Sequence, residues 1–337
     1  MRQPYSPRIF ILLFLFVIPG CKEKIYVLDE YSTMRYDVLA LPAPAATTDL
    51  LAVAFASPSV GFVGGVGGTV YATADGGQTW ASRSQPSLGE VRKLRLSSGP
   101  TVWAATSVGL FKTVNGGQSW QRAQFANSGG AVGPAFDVQF VTPLVGYAAG
   151  ENGNICKTTD GGQTWTNLLT TAQSRFSLRA VSFTSPDSGQ VVGAEYARYL
   201  TTDGGRSWSV VSGGAGVYRD VLRYGQGRFL LVGDKEGFSD NPATGISTST
   251  VDENMGWPIY ALARYPGPQG SVVAVGEKTV IRYDPAFSLR PATTPWTNVH
   301  APNGASFTAT FKGAAFANAR TLYAVGPNGT LYRFYYQ

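Results

Sequence analysis

The sequence predicts an all-β protein, a seven-bladed β-propeller with four-stranded blades. The main observation is a segment that recurs four times with almost the same residues, and these copies are TADGGQTW (73–80), TVNGGQSW (113–120), TTDGGQTW (158–165) and TTDGGRSW (201–208). The tryptophans that end them are 40, 45 and 43 residues apart. A repeat of about 40–45 residues built from short strands is typical of a propeller blade.

A second marker extends the repeat over the rest of the chain. A strand-like stretch ends in Gly or Ala eight residues before the start of each repeated segment, and the same stretch recurs later in the chain without that segment. The markers are Gly65, Ala105, Gly150, Gly193, Gly233, Gly276 and Gly326. Seven markers predict seven repeats.

The fourth repeat shows the expected order of strands, with residues 178–183, 190–193, 197–202 and 207–211 as the first to the fourth strand. The last repeat stops after its third strand, which would leave an unpaired sheet edge. The segment 25–41 contains strand-like residues and belongs to no other repeat. We expect it to pair beside residues 331–336 and so close the last blade.

The N-terminus is typical of an exported protein. Arg2 and Arg8 precede an apolar stretch at 9–18, and Ile18-Pro19-Gly20-Cys21 resembles the lipobox of bacterial lipoproteins. We therefore expect a signal peptide at 1–20, a lipidated Cys21 with a tether at 21–24, and one propeller at 25–337. This arrangement predicts a lipid-anchored protein of the bacterial cell envelope, periplasmic or at the cell surface. The alternative is an ordinary signal peptide with an unrelated cysteine.

Charge and composition argue against several classes of function. The net charge of +6 falls to +4 without Arg2 and Arg8, and no Lys/Arg cluster is interleaved with aromatic residues, so nucleic-acid binding is not expected. If Cys21 carries lipid, Cys156 has no partner for a disulfide and is expected to be buried and inert. The single histidine, His300, cannot form a multi-histidine metal site and is expected at the surface. The sequence predicts no metal and no cofactor.

The repeated segment is an Asp box, in which each position has a structural reason. The Asp or Asn side chain accepts backbone N–H bonds in a tight turn, glycine adopts the unusual backbone conformation, and tryptophan packs against the blade. We assign this structural role to Asp75, Trp80, Asn115, Trp120, Asp160, Trp165, Asp203 and Trp208.

These boxes resemble BNR repeats, and VGYAAGENGNICKTTDGGQTW (145–165) resembles the photosystem II stability/assembly-factor-like family of seven-bladed propellers. The resemblance covers residues 50–337 in period. It implies a non-catalytic binding scaffold, which in phototrophs helps to assemble a membrane complex. We carry over the fold and the scaffold role, without the photosystem, and expect a monomer that binds a protein partner, such as an acidic or membrane-protein segment.

The candidate binding site is the channel mouth on the face opposite the boxes. The second residue of each innermost strand is basic or aromatic in six of seven repeats, and these positions are Leu51, Arg92, Phe136, Arg179, Arg219, Tyr260 and Lys312. A cationic rim flanked by aromatic rings would bind an acidic peptide or a carboxylate. Arg198 is expected in a loop that would join this rim. The alternative is that these side chains only cap the core between blades.

Two other functions stay open. An Asp-box glycoside hydrolase, sialidase-like, would need a facing carboxylate pair, for which Asp137 and Asp220 are the best candidates. The Arg-Ile-Pro motif of sialidases is absent, and a neighbour such as Arg219 is expected to neutralise each aspartate. A lectin-like carbohydrate binder would use exposed tryptophans such as Trp103 and Trp257.

Overall fold

A computed structural model of the chain describes residues 32–43, 45–97, 99–126, 132–168, 176–211, 216–224, 228–234, 237–241, 246–249, 257–266, 271–283, 296–300 and 306–335. The chain divides into two units, Met1–Glu30 and Tyr31–Gln337, and the fold below is that of the second. The predicted signal peptide, Cys21 and the tether lie outside the described residues.

The described residues form short strands joined by tight turns. The first nine strands are β1 (Ser32–Thr33), β2 (Arg35–Val38), β3 (Leu50–Phe55), β4 (Gly61–Gly65), β5 (Val70–Thr73), β6 (Ala81–Ser82), β7 (Val91–Leu96), β8 (Val102–Thr106) and β9 (Gly109–Thr113). The next nine are β10 (Gln121–Arg122), β11 (Ala135–Phe140), β12 (Gly146–Gly150), β13 (Ile155–Thr158), β14 (Thr166–Asn167), β15 (Leu178–Phe183), β16 (Gly189–Gly193), β17 (Arg198–Thr201) and β18 (Ser209–Val211).

The remaining strands are β19 (Tyr218–Tyr224), β20 (Arg228–Gly233), β21 (Gly237–Asn241), β22 (Ile246–Ser249), β23 (Ile259–Arg264), β24 (Val272–Gly276), β25 (Thr279–Tyr283), β26 (Trp296–His300), β27 (Gly313–Asn318), β28 (Thr321–Val325) and β29 (Leu331–Tyr335). Single-turn 3-10 helices lie at Ala45–Thr47, Val66–Gly68, Pro86–Leu88 and Glu151–Gly153. No helix among the described residues is long and apolar enough to cross a membrane.

The strands form an all-β propeller in which six blades have four strands. Blades 1 to 5 are β3–β6, β7–β10, β11–β14, β15–β18 and β19–β22, and blade 6 consists of β27–β29 with β2 at its outer edge. Between blades 5 and 6 in chain order lies a five-stranded sheet, β23–β26 with β1.

The prediction of seven four-stranded blades is therefore wrong, because six blades have that form among the residues that the structure describes. The difference comes from β1, whose residues Ser32 and Thr33 pair in parallel with Val299 and His300 of β26. The N-terminal segment thus contributes β1 as the fifth strand of that sheet and then β2 as the outer strand of blade 6.

The N-terminal segment closes blade 6 as expected. In the antiparallel pair of β2 and β29, Arg35 lies opposite Tyr335 and Val38 opposite Tyr332. An ion pair of 2.6 Å between Arg333 Nη2 and Asp37 Oδ2 reinforces the pairing. The predicted closure is confirmed for residues 35–38 of the segment 25–41.

Aromatic stacking joins neighbouring blades. The last residue of an inner strand stacks on an aromatic ring in the second strand of the preceding blade, with ring centroids 3.5 Å apart for Phe183 and Tyr147 and 5.2 Å for Phe140 and Trp103. Trp103 is fully buried by this contact. The expectation that Trp103 is an exposed carbohydrate-binding residue is therefore wrong.

The recurring glycine marks a close approach between backbones. A Cβ on Gly65 would lie 2.1 Å from the carbonyl oxygen of Asp49, and one on Gly233 would lie 2.0 Å from that of Val217. In blade 2 the residue opposite the first inner-strand residue, Val91, is Thr106, one position after the predicted marker Ala105.

Turns divide the propeller into two faces. On the box face, the Asp-box hairpins bond to the turns between first and second strands, as from Gly76 N to Ser59 O at 2.8 Å. The mouth face is the opposite one and holds the turns between second and third strands together with the connections between sheets. There Glu151 N donates to Pro134 O at 3.2 Å.

Candidate functional site

Each Asp box is a self-contained hydrogen-bonded turn. In blade 3, Thr158 Oγ1 donates to Asp160 Oδ1 at 2.8 Å, and the backbone N–H groups of Gln163 and Thr164 donate to the same oxygen at 2.9 and 3.0 Å. Burial alone would raise the pKa of Asp160, but these hydrogen bonds lower it to about 2. The carboxylate is committed to its own turn.

The other boxes repeat this geometry. Hydrogen bonds from Thr79 and Thr73 lower the pKa of Asp75 to about 2, and those from Ser207 and Thr201 lower the pKa of Asp203. Asn115 accepts from the backbone N–H of Ser119 at 3.0 Å and also donates to its hydroxyl at 2.9 Å. An uncharged amide thus fills the same turn.

The box tryptophans pack into the propeller. Trp165 is fully buried and makes edge-to-face contacts with Trp103 and Phe140, at centroid distances of 5.5 and 5.9 Å. Trp80 is also buried, whereas Trp120 and Trp208 are partly buried. The boxes therefore hold the blades together and leave no free acid or base.

The mouth positions coincide with a repeated β-bulge. In six inner strands the pairing register shifts between the first and third residue, so the second residue has no partner opposite it. These bulge residues are Leu51, Arg92, Phe136, Arg179, Arg219 and Tyr260. A bulge re-aims a side chain away from the regular alternation. Lys312, just before β27, donates its backbone N–H to Val325 O at 2.7 Å.

Six of the predicted rim residues lie together as two groups of three. In the Phe136 trio, the guanidinium carbons of Arg92 and Arg179 lie 4.1 and 3.9 Å from the ring centroid of Phe136. In the Tyr260 trio, Arg219 and Lys312 lie 4.9 and 3.3 Å from the ring centroid of Tyr260. Each ring thus holds two cations, which limits the conformations those long side chains sample.

The four rim cations differ in how far acidic neighbours neutralise them. Arg92 pairs with Glu90 at 3.2 Å and with Glu151 at 2.9 Å. Arg219 Nε donates to Asp234 Oδ1 at 2.6 Å. Among the described residues, Arg179 and Lys312 make no ion pair.

Arg179 is the most unusual of these cations. Burial, together with repulsion from Arg92 and Arg219, lowers its pKa from the ordinary arginine value. Its Nε is buried and has no hydrogen-bond partner in the described part of the chain. A bound carboxylate would supply the missing opposite charge.

Arg198 differs from its prediction. It is the first residue of β17, within a strand, and the prediction that it lies in a loop is wrong. Its Nη2 lies 3.5 Å from Gln190 Oε1 of the same blade.

Asp137 and Asp220 are buried at the channel wall and engaged by cations of β7. Arg95 donates to both oxygens of Asp137 at 3.0 and 3.1 Å, and Lys93 Nζ lies 2.9 Å from Asp220 Oδ2. The predicted partner, Arg219, pairs with Asp234 instead. Burial alone would raise the pKa of Asp137, but Arg95 and Lys93 hold it below its ordinary value.

The two aspartates also bond to inner strands of other sheets. Val181 N of blade 4 donates to Asp137 Oδ2 at 3.3 Å, and Leu262 N of the five-stranded sheet donates to Asp220 Oδ2 at 2.9 Å. We call Lys93, Arg95, Asp137 and Asp220 the channel lock. The buried, ion-paired carboxylates are not the open pair that a two-carboxylate glycosidase needs.

Other chemistry is limited in the described part of the chain. No group of three or more His, Cys, Asp and Glu side chains there could hold a metal ion. Cys156 is buried in β13, and burial raises the pKa of its thiol to about 12, which keeps it protonated and unreactive.

Comparison with known proteins connects this geometry to a family. Residues 29–130 and 131–217 match the sequence model of the family described as Photosynthesis system II assembly factor YCF48. The chain belongs to this family. It is 26% identical to the photosystem II assembly lipoprotein Ycf48 of Trichormus variabilis, over 37% of this chain and 50% of that protein. The chain thus spans about half the length of this curated relative.

Solved structures agree on the propeller. A structure of YCF48 bound to D1 peptide superposes with a TM-score of 0.68 at 17% identity, covering 91% of this chain and all of that one. A xyloglucanase from Xanthomonas campestris superposes with a TM-score of 0.65 at 13% identity, covering 88% of this chain and 52% of that one. Likeness at these identities shows the fold alone, which serves both binding proteins and enzymes.

Proposed function

We propose that this member of the assembly-factor family is a non-catalytic scaffold whose channel mouth binds an acidic segment of a partner protein. The observation that carries the proposal is Arg179, a half-buried guanidinium without an ion pair among the described residues, which shares the Phe136 ring with Arg92 and is repelled by the charges of Arg92 and Arg219. The solved YCF48 with its bound D1 peptide supports a peptide as the class of ligand.

The mouth suits a carboxylate for a physical reason. Phe136 and Tyr260 hold the cations in place before a ligand arrives, so less side-chain entropy is lost on binding. Partial burial weakens solvent screening, so a carboxylate bonded to Arg179 gains more than it would at an open surface. The four rim cations outnumber the three acids paired with them, Glu90, Glu151 and Asp234, so Arg179 and Lys312 leave one positive charge in excess.

We also propose that lipid on Cys21 anchors the protein in a bacterial cell envelope. The lipobox-like Ile18-Pro19-Gly20-Cys21 supports this, and the Trichormus variabilis relative is itself named a lipoprotein. Metabolic labelling with a palmitate analogue tests it. We expect the native chain to be labelled and the Cys21→Ser variant not to be. Labelling of the Cys21→Ser variant would contradict the lipid anchor.

Binding at the mouth can be tested with a defined peptide. The probe is a fluorescein-labelled hexapeptide of three alanines followed by three glutamates, titrated against the full chain carrying Cys21→Ser and followed by anisotropy. Arg179→Ala should weaken binding at least about ten-fold, because it removes a charge-assisted hydrogen bond.

The matched control is Arg206→Ala on the box face, where Nη1 bonds only weakly to Asp203 O at 3.4 Å. It should leave the affinity within about two-fold of the parent, since solvent and salt screen a distant charge. Equal losses for the two variants, or no binding by the parent chain, would refute the mouth as the binding site.

A further inference from the structure

The mouth face carries an exposed tryptophan that the proposed rim does not use. Trp257 lies in the connection that leads into β23, and 48% of its surface is exposed. The chain has seven tryptophans, and the other six are buried or partly buried. An indole left in water forgoes the burial that normally places tryptophan in a core or an interface.

The surroundings of Trp257 are built by backbone contacts. Glu277 N donates to Pro258 O at 3.0 Å, which joins the turn after β24 to the connection containing Trp257. At Gly276 a Cβ would lie 2.2 Å from the same Pro258 oxygen, so only glycine permits this approach.

The approach brings a lysine over the indole. Lys278 Nζ lies 5.2 Å from the ring centroid of Trp257. Lys278 has a φ of 53°, a left-handed conformation that is uncommon for a residue with a side chain. The equivalent turn position is left-handed in other sheets as well, at Asn152, Glu195 and Asn328, so the shared turn geometry sets where the Lys278 side chain begins.

Trp257 and Lys278 lie on the mouth face, as the rim does, and Trp257 is close to a rim residue in sequence. Trp257 precedes Tyr260 by three residues, and Tyr260 carries Arg219 and Lys312 on its ring. We propose that Trp257 and Lys278 form an outer subsite for the same acidic partner segment and bind an apolar or aromatic residue that lies near its carboxylates. The indole would cover the apolar group, and Lys278 would face a neighbouring carboxylate. This inference rests on the proposed function.

Intrinsic fluorescence provides a direct test, because Trp257 is the most exposed indole. The probes are ten-residue peptides that end in three glutamates, with phenylalanine at one of the four preceding positions and alanine elsewhere, and an all-alanine version without phenylalanine. At least one phenylalanine peptide should bind about three- to ten-fold more tightly than the all-alanine version. It should also protect tryptophan fluorescence from acrylamide quenching.

Variants then assign the effect to the subsite. In Trp257→Ala, the phenylalanine peptide should bind no more tightly than the all-alanine version and should no longer protect fluorescence from quenching. The affinity for the all-alanine version should stay within about two-fold of the parent. The matched control is Leu144→Ala, another exposed apolar residue but on the box face, which should keep both effects.

The two proposals fail in different ways. If the all-alanine peptide binds through Arg179 but phenylalanine brings neither tighter binding nor protection, the outer subsite is refuted and the rim stands. If no acidic peptide binds, both are refuted. A phenylalanine advantage that persists in Trp257→Ala would place the apolar contact elsewhere and also refute the subsite.

Discussion

The box face and the channel side of the propeller both use carboxylates, but over very different distances in sequence. Asp160 bonds to residues no more than four positions away. Asp137 bonds to Arg95, 42 positions away, and Asp220 to Lys93, 127 positions away. The boxes are local turns, whereas the channel lock exists only once the ring of sheets has formed.

This difference predicts how each face responds to change. A change to a box carboxylate should lose one turn and leave the other blades intact, since its hydrogen-bond partners are its own neighbours in sequence. A lock variant should weaken several sheets together, because Asp220 joins β7 to β19 and β23.

The largest effect is expected from Lys93→Met, which leaves the Asp220 carboxylate buried without its cation. Loss of one partner of a buried pair costs about 3–5 kcal/mol of unfolding free energy. Urea unfolding of the purified chain measures it. Adding Asp220→Asn to this variant should recover part of the loss, because the amide needs no counter-charge.

Lys112→Met is the control for the lock. Lys112 is partly buried and has a neutral environment: its Nζ donates to Gly162 O at 3.3 Å and lies 5.7 Å from the ring centroid of Trp103. It should cost about 1 kcal/mol. If Lys93→Met costs no more than Lys112→Met, the long-range pair does not stabilise the ring and the contrast with the boxes fails.

The next effect concerns a box glycine that touches a neighbouring blade. Gly162 has a φ of 78°, and a Cβ there would lie 2.2 Å from the indole of Trp103. Gly162→Ala should cost about 2–4 kcal/mol by urea unfolding, combining left-handed strain with overpacking. Gly116→Ala in blade 2 has the same backbone strain but nothing within 4 Å, so it should cost about 1 kcal/mol. Similar losses at both sites would mean that the contact with Trp103 carries no energy.

Locality also explains how much the sequence could predict. The box turns and the closing strand at 35–38 can be predicted from the repeat. The box recurs with nearly the same residues in four repeats, and the last repeat lacks the fourth strand that the others have. The strand β1 has only two residues and pairs with β26 far along the chain, so no local signal identifies it. Its presence is what makes one sheet five-stranded.

The marker in blade 2 shows a second limit. Spacing from the box selects Ala105, but Thr106 is opposite Val91 because the following turn is shorter in this blade. The hydroxyl of Thr106 accepts from the backbone N–H groups of Val108 and Gly109. A marker placed by counting back from the box is therefore wrong by one residue where the turn length differs.

The position of a residue in the fold is easier to predict from the sequence than the side chains that surround it. Aligning the inner strands selected six residues that lie together in the two trios, because a repeated fold places equivalent positions on one ring. The partners of Asp220 and the burial of Trp103 depend on which strands face each other. No residue pattern within one repeat contains that information.

A smaller effect is expected from Asp160, and it depends on pH. Asp160→Ala should cost about 1–2 kcal/mol at neutral pH, because four donors lose their acceptor, and Asp160→Asn less than 1 kcal/mol. The folded pKa of about 2 lies below the ordinary 3.8, so the charge stabilises the fold above pH 4 and this gain disappears as the pH falls through 2.

The difference in unfolding free energy between the parent chain and Asp160→Asn should therefore shrink between pH 5 and pH 2. Urea titrations at several pH values measure it, with the natural Asn115 box as an internal precedent. A difference that grows on acidification would show that the carboxylate is not held ionised by its turn.

The smallest effect sharpens the contrast at the mouth itself. Glu151 neutralises part of the charge of Arg92, with atoms 2.9 Å apart at a partly exposed position. Glu151→Gln should change the unfolding free energy by less than about 1 kcal/mol. It should raise the affinity for the triglutamate hexapeptide about two- to five-fold, since Arg92 becomes available to the ligand.

Glu195→Gln removes the same charge from an exposed turn of blade 4, also on the mouth face. At physiological salt its effect should be smaller, because exposed charges are screened over about 8 Å. Anisotropy titrations of both variants decide whether pairing with Arg92 matters. Equal gains would mean that the ligand senses only the net charge of the face, and that the pairing of individual rim cations does not control binding.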